Sequence, residues 1–105
     1  MPIFILISKH SPENCPMFNA KTRKVMMETA EKSDGLMKKH GVKLLGEWTV
    51  PNEHLDFGVY EAPSLDAFTK LGMEPAIMAL SEFLTYEIKI AMSSEEVEQM
   101  LKHAR

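Results

Sequence analysis

The amino-acid sequence predicts an α+β fold of the ferredoxin-like kind: β-α-β-β-α-β, a C-terminal helix, and a four-stranded antiparallel sheet. Three observations carry that reading. Strand-like and helix-like hydrophobic periodicities alternate along the chain in that order. Two of the strand-like stretches are joined by a turn short enough to make an antiparallel hairpin. The 105 residues, 45% hydrophobic and 26% charged, suffice for one core and not for two, so residues 1–105 are expected to form a single domain.

The first stretch, Pro2-Ile3-Phe4-Ile5-Leu6-Ile7-Ser8, is apolar at both odd and even positions. Such a strand is buried on both faces, as in the middle of a sheet. Lys9 to Pro16 holds two prolines and an asparagine and reads as a loop. Asn19 or Asn14 then caps a long helix reaching about His40, whose apolar face is Met26, Ala30, Ser33, Met37 and His40. Gly35 interrupts it at a cost of about 1 kcal/mol relative to alanine, so a kink or split is expected there. Gly41 suits a left-handed helix stop.

Val42 to Val50 and Leu55 to Glu61 read as the hairpin strands, with Pro51-Asn52-Glu53 as the turn. Ser64 is a good N-cap for a helix through Leu65, Phe68 and Leu71 that stops at Gly72, and Pro75 opens a short helix after it. In the last strand, Leu84 to Met92, Leu84, Tyr86, Ile88 and Ile90 alternate with Thr85, Glu87 and Lys89. Ser93-Ser94-Glu95-Glu96 is a capping box for a final helix expected to turn Val97, Met100, Leu101 and Ala104 inward.

Composition removes several classes of function. A net charge of -3 and a pI near 5.8 argue against a nucleic-acid partner. The longest apolar run, Ile3–Ile7, is far too short to cross a membrane, and no basic segment precedes it to make a secretory signal. Cys15 is the only cysteine, so an internal disulfide is impossible and a cytoplasmic location is expected. Strands apolar on both faces, with a final helix too short to cover the second face, point to a homodimer.

The stretch from Gly41 to Pro63, which includes Gly41-Val42-Lys43-Leu44-Leu45-Gly46-Glu47-Trp48 and Glu61-Ala62-Pro63, resembles the dimeric α+β barrel superfamily. Within it, the chain is most similar to small prokaryotic proteins related to the GYD-motif and muconolactone-isomerase-like proteins. In the GYD motif, Gly-x-Tyr-Asp leads into a strand ending in Glu-Ala-Pro. Asp56 and Glu61-Ala62-Pro63 match, while Glu53 and Leu55 stand where the glycine and tyrosine would be. The resemblance implies two sheets packed face to face into a barrel. The superfamily holds cofactor-free oxygenases, isomerases, haem proteins and plain binding domains, so the resemblance implies no one reaction.

Chemistry-bearing residues fall in two places. His10, Glu13 and Cys15 share the first loop, where a thiolate beside an imidazolium would be a nucleophile or redox sensor; alternatively Cys15 is a small buried apolar residue. His54 and Asp56, two apart, share a strand face with Gly58 and Tyr60, and a carboxylate beside a histidine suits acid–base work near neutral pH; alternatively both are solvated at the strand end. Gly58 leaves a gap beside Tyr60 with room for a small ligand. Glu47 is either paired at an edge or a carboxylate in a pocket.

Strands one and three are neighbours in this topology, so His10, His54 and Asp56 are expected to converge at one sheet end. They would supply the catalytic groups of a pocket between sheet and long helix, with Tyr60, Met26, Phe68 and Cys15 as its binding residues. The histidines show no metal-ligand spacing, so no metal is expected. Cys15-Pro16 matches the dipeptide of some haem sensors, which leaves haem as the alternative to a cofactor-free protein. Two functions stay open. One is an isomerase or cofactor-free oxygenase using a His/Asp pair on a small apolar molecule; the other is a non-catalytic, dimeric ligand-binding or sensing module.

Overall fold

A computed structural model describes residues 1–104. The strands are β1 (Ile3–His10), β2 (Lys43–Val50), β3 (Leu55–Glu61) and β4 (Leu84–Ala91). The helices are α1 (Ala20–Lys39), α2 (Leu65–Gly72), α3 (Pro75–Met78) and α4 (Ser94–Lys102). The sheet is antiparallel in the order β2-β3-β1-β4, the ferredoxin-like arrangement that the periodicity predicts. β1 sits inside it because its apolar residues alternate onto both faces and its two edges are both paired.

One face carries Phe4, Leu6 and Ser8 of β1, which pair with Tyr60, Gly58 and Asp56 of β3 and with Ile90, Ile88 and Tyr86 of β4. The core lies between this face and α2: Phe4, Val42, Ala62, Phe68 and Leu71 are buried, with Leu36, Met37, Tyr60 and Ile77 packed against them. The Phe4 and Phe68 rings stack with centroids 5.2 Å apart, and Tyr60 tilts onto Phe68 at the same distance. Such aromatic pairs add about 0.5–1.5 kcal/mol each beyond their burial. The helix ends are capped as expected. Asn19, Ser64 and Ser93 accept from the backbone amides of Thr22, Ala67 and Glu96, and Gly41 adopts φ +70°.

Four local expectations are corrected. β1 runs on through His10 rather than ending at Ser8, because Lys9 pairs with both Leu55 and Thr85, and His10 pairs with Leu84. α1 is one continuous helix through Gly35, whose missing side chain faces open space, so neither packing nor a clash breaks the ladder there. His54 precedes β3 and stands in a left-handed conformation (φ 52°, ψ 43°) that closes a 3-10 turn over Pro51–Glu53.

The fourth correction concerns α4, which does not turn inward. Every one of its residues is exposed, with Val97, Met100 and Leu101 at 41%, 60% and 69%. Its capping box forms the helix without a packing partner. The radius of gyration, 15.6 Å, accordingly exceeds the ~13 Å of a compact chain this long.

Glu74, just before α3, ties this segment to the end of α1 through Lys39 at 2.8 Å and His40 at 2.7 Å. Hydrogen bonds from Lys39 and then His40 hold the Glu74 carboxyl below its ordinary value of 4.5. A carboxylate with a depressed folded pKa stabilises the fold above its unfolded pKa, and that contribution is lost as pH falls through the folded value. The melting temperature of the wild type should therefore exceed that of Glu74→Gln at neutral pH, with the gap closing as pH drops below 4.5. A gap that is constant into acid would show that Glu74 acts by packing alone.

Candidate functional site

Between the helix-facing side of the sheet and the layer formed by α1, α2 and α3 lies a cleft of about 650 Å³. Both α1 and α2 line it, and both also pack on the buried cluster around Phe4. Leu6, Leu84 and Ile88 form its floor, and Met26, Met37, Met73 and Met78 line it from the helical side. Flexible thioether chains make an adaptable wall rather than a filled core. Polar groups are few: Ser8, Glu47, Thr49, Asp56, Tyr60 and Tyr86 on the strands, with Thr29 and Ser33 opposite. Thr29 is already satisfied, its hydroxyl donating to the carbonyls of Val25 and Ala76.

Four of the sequence-derived site residues, Met26, Asp56, Tyr60 and Phe68, line this cleft. Asp56 is half-buried and accepts a hydrogen bond from the Thr49 hydroxyl on the paired strand. Gly58 leaves no gap: the Tyr60 ring lies across it, and a Cβ there would stand 2.8 Å from the ring. Burial, and behind it the nearby Glu47 and Tyr86, pushes the Tyr60 phenol up to about 12. Burial alone pushes Tyr86 to about 12. Both tyrosines are therefore neutral hydrogen-bonding groups in a mostly apolar site.

Glu47 lines the cleft and does not form an edge ion pair. The β2–β3 register carries the signal for it, because Glu47 sits opposite Gly58, and Thr49 opposite Asp56, on one face.

His10 and His54 do converge, but not in the cleft. His10 Nε2 and His54 Nδ1 are 3.1 Å apart, and the rings meet edge to face with centroids 5.0 Å apart. The His10 amide also donates to the His54 carbonyl at 3.1 Å, which seals the end of the β1–β3 ladder. The hydrogen-bonding partner of His54 is thus His10, and Asp56 is held by Thr49 instead. Burial, then the neighbouring His54, lowers the His10 pKa, and the Asp56 charge opposes them. Its imidazole is neutral near pH 7.

Cys15 joins this pair. It is free, buried at 6% exposure, and its sulfur and one nitrogen from each histidine lie within 4.8 Å of one another. Its backbone is pinned: the amide donates to Pro12, and the carbonyl accepts from Phe18 and Asn19. Beside His10, a second depression of about 390 Å³ is lined by Lys9, Ser11 and residues 81–85. It shares Ser81 and Leu84 with the cleft.

No protein-family model matches the chain, and no curated protein does. Solved structures do. An uncharacterised NIPSNAP domain protein from Burkholderia xenovorans superposes with a TM-score of 0.61 at 11% identity, over 90% of this chain and 95% of that one. A protein from Agrobacterium tumefaciens gives 0.59 at 16%, over 90% and 94%. A protein of unknown function from Rhodopseudomonas palustris gives 0.55 at 12%, over 88% and 84%. At these identities the likeness shows the fold alone.

The two tyrosines carry a prediction. A phenol whose folded pKa is raised contributes stability that is present below pH 10 and lost as pH rises through about 12. Ultraviolet titration of the folded protein should show little phenolate at pH 10 to 11, and denatured protein should titrate near 10. Ordinary titration of both tyrosines in the folded state would mean that the cleft is open to water.

Proposed function

We propose that the chain is a homodimeric protein that binds a small, mostly apolar molecule in the cleft between sheet and helices. The observation that carries this is the cleft itself: about 650 Å³, within the ~300–1,000 Å³ usual for small-molecule sites, with a mostly apolar lining interrupted by polar groups. Methionine and aliphatic walls suit a ring or chain hydrocarbon. Asp56, Tyr60 and Tyr86 would accept or donate one or two hydrogen bonds to its polar end.

The dimer rests on surface left uncovered. The sheet face away from the helices presents Ile3, Ile5 and Ile7 beside Phe57 and Val59, with Trp48 stacked on Phe57 at 5.3 Å and 52% exposed. The apolar side of α4 is bare as well. The accessible surface, 7322 Å², exceeds by over ~1,000 Å² the ~6,000 Å² of a compact monomer of this mass. A second copy packed against the open face would bury about 1,200–2,000 Å² in total.

A catalytic version of this reading gives proton transfer to Asp56. It is the one member of the His10, His54 and Asp56 set that lines the cleft, so it alone can reach a ligand held there.

Two measurements test the reading. Light scattering at micromolar concentration should return twice the 11.9 kDa chain mass; the monomer mass would overturn the dimer. A thermal-shift screen of cyclic and aliphatic compounds bearing one hydroxyl or carbonyl should yield ligands for the wild type. A ligand at a hundred times its Kd adds about 2.7 kcal/mol of stability. Met37→Trp, which fills the cleft, should abolish the shift, and an unchanged shift would place binding elsewhere. Asp56→Asn separates the two versions: it should weaken binding modestly, and it would abolish turnover of any ligand that is also a substrate.

A further inference from the structure

We propose that His10, Cys15 and His54 form a binding site for a thiophilic transition-metal ion of the zinc class, separate from the cleft and independent of what binds there. Among the described residues, this is the only cluster of three such side chains with the spacing of a metal site.

The donor set is the first argument. One thiolate and two neutral imidazoles are the ligands that Zn²⁺ favours, and three protein ligands leave a fourth position open.

Geometry is the second argument. Two nitrogens bound tetrahedrally to zinc sit about 3.3 Å apart, and a nitrogen and a sulfur about 3.6 Å apart. The facing imidazole nitrogens are already 3.1 Å apart, and all three donor atoms lie within 4.8 Å of one another. Closure by about 1 Å at the sulfur completes the set. On binding, the Cys15 thiol gives its proton to solvent, and the hydrogen bond between the two rings is exchanged for two metal–nitrogen bonds.

The backbone is the third argument. His54 is the only non-glycine residue with positive φ among those described. Side chains other than glycine enter that region at a cost, and such costs cluster where a side chain must be aimed. The hydrogen bond from the His10 amide to the His54 carbonyl fixes two of the ligands, and the three backbone hydrogen bonds around Cys15 fix the third. His10 also borders the 390 Å³ depression.

The test uses the reduced full-length chain, with Zn²⁺ measured by competition against a chromogenic chelator and Co²⁺ as the optical reporter. The wild type should take up one ion per chain. The cobalt form should show a thiolate-to-metal charge-transfer band in the near ultraviolet and tetrahedral ligand-field bands in the visible.

Cys15→Ser should remove the charge-transfer band. Cys15→Ser, His10→Gln and His54→Gln should each weaken Zn²⁺ binding by about a hundredfold or more. His103→Ala, which alters a histidine at the exposed end of α4, should change nothing. Far-ultraviolet circular dichroism of the metal-free variants checks that they are folded. Failure of the wild type to bind at micromolar Zn²⁺ would overturn the proposal. So would equal binding by folded Cys15→Ser and wild type, or loss of binding in His103→Ala.

Discussion

Hydrogen bonding of β1 on both its edges is the constraint from which the rest follows. Its register with β3 and β4 brings Phe4, Tyr60 and Ile90 level at one end, and Ser8, Asp56 and Tyr86 level at the other. A slip of one residue would turn every one of these side chains to the opposite face. The Phe4–Phe68 stack and the buried Ala62 lock that register from the helical side. The same pairing carries His10 past Leu55, the first residue of β3, to meet His54 in the turn before it.

The helical layer closes unevenly on this sheet. α2 and the end of α1 pack on the Phe4 cluster through Phe68, Leu71, Leu36 and Met37, while Met26, Thr29, Ala30 and Ser33 farther back along α1 line the cleft. The cleft and the bare opposite face have one origin. A four-stranded sheet with hydrophobic residues on both sides has more apolar area than the helices of one chain can cover. One side is therefore left partly hollow, and the apolar stripe of α4 is left exposed.

The cleft and the His–Cys cluster divide the polar chemistry between them. In the cleft, tyrosines kept neutral by burial stand beside Asp56 and Glu47 in an apolar chamber, which suits recognition of a small molecule. In the cluster, two imidazoles and a thiol meet on a pinned backbone, one of them held in a conformation that its residue type seldom adopts. Ser81 and Leu84 line both the cleft and the depression beside His10.

Local rules settled the elements. The caps at Asn19, Ser64 and Ser93, the stop at Gly41 and the alternation of β4 are readable because each depends on neighbours within a few residues. The topology was legible for the same reason, and it foretold the meeting of His10 with His54 because antiparallel neighbours bring the end of one strand to the start of the other. What only the tertiary structure decided was which side of that meeting each group takes. The left-handed turn at His54 takes its ring out of the alternation that keeps Asp56 on the cleft wall. The fold of Pro12 to Asn19 brings Cys15 to the histidines, although its spacing from them resembles no ligand motif. The Tyr60 ring fills the space above Gly58 that the sequence leaves empty. The exposed apolar stripe of α4 has the periodicity of a buried one. Periodicity states that a face is apolar; what covers it depends on packing between segments far apart in the chain.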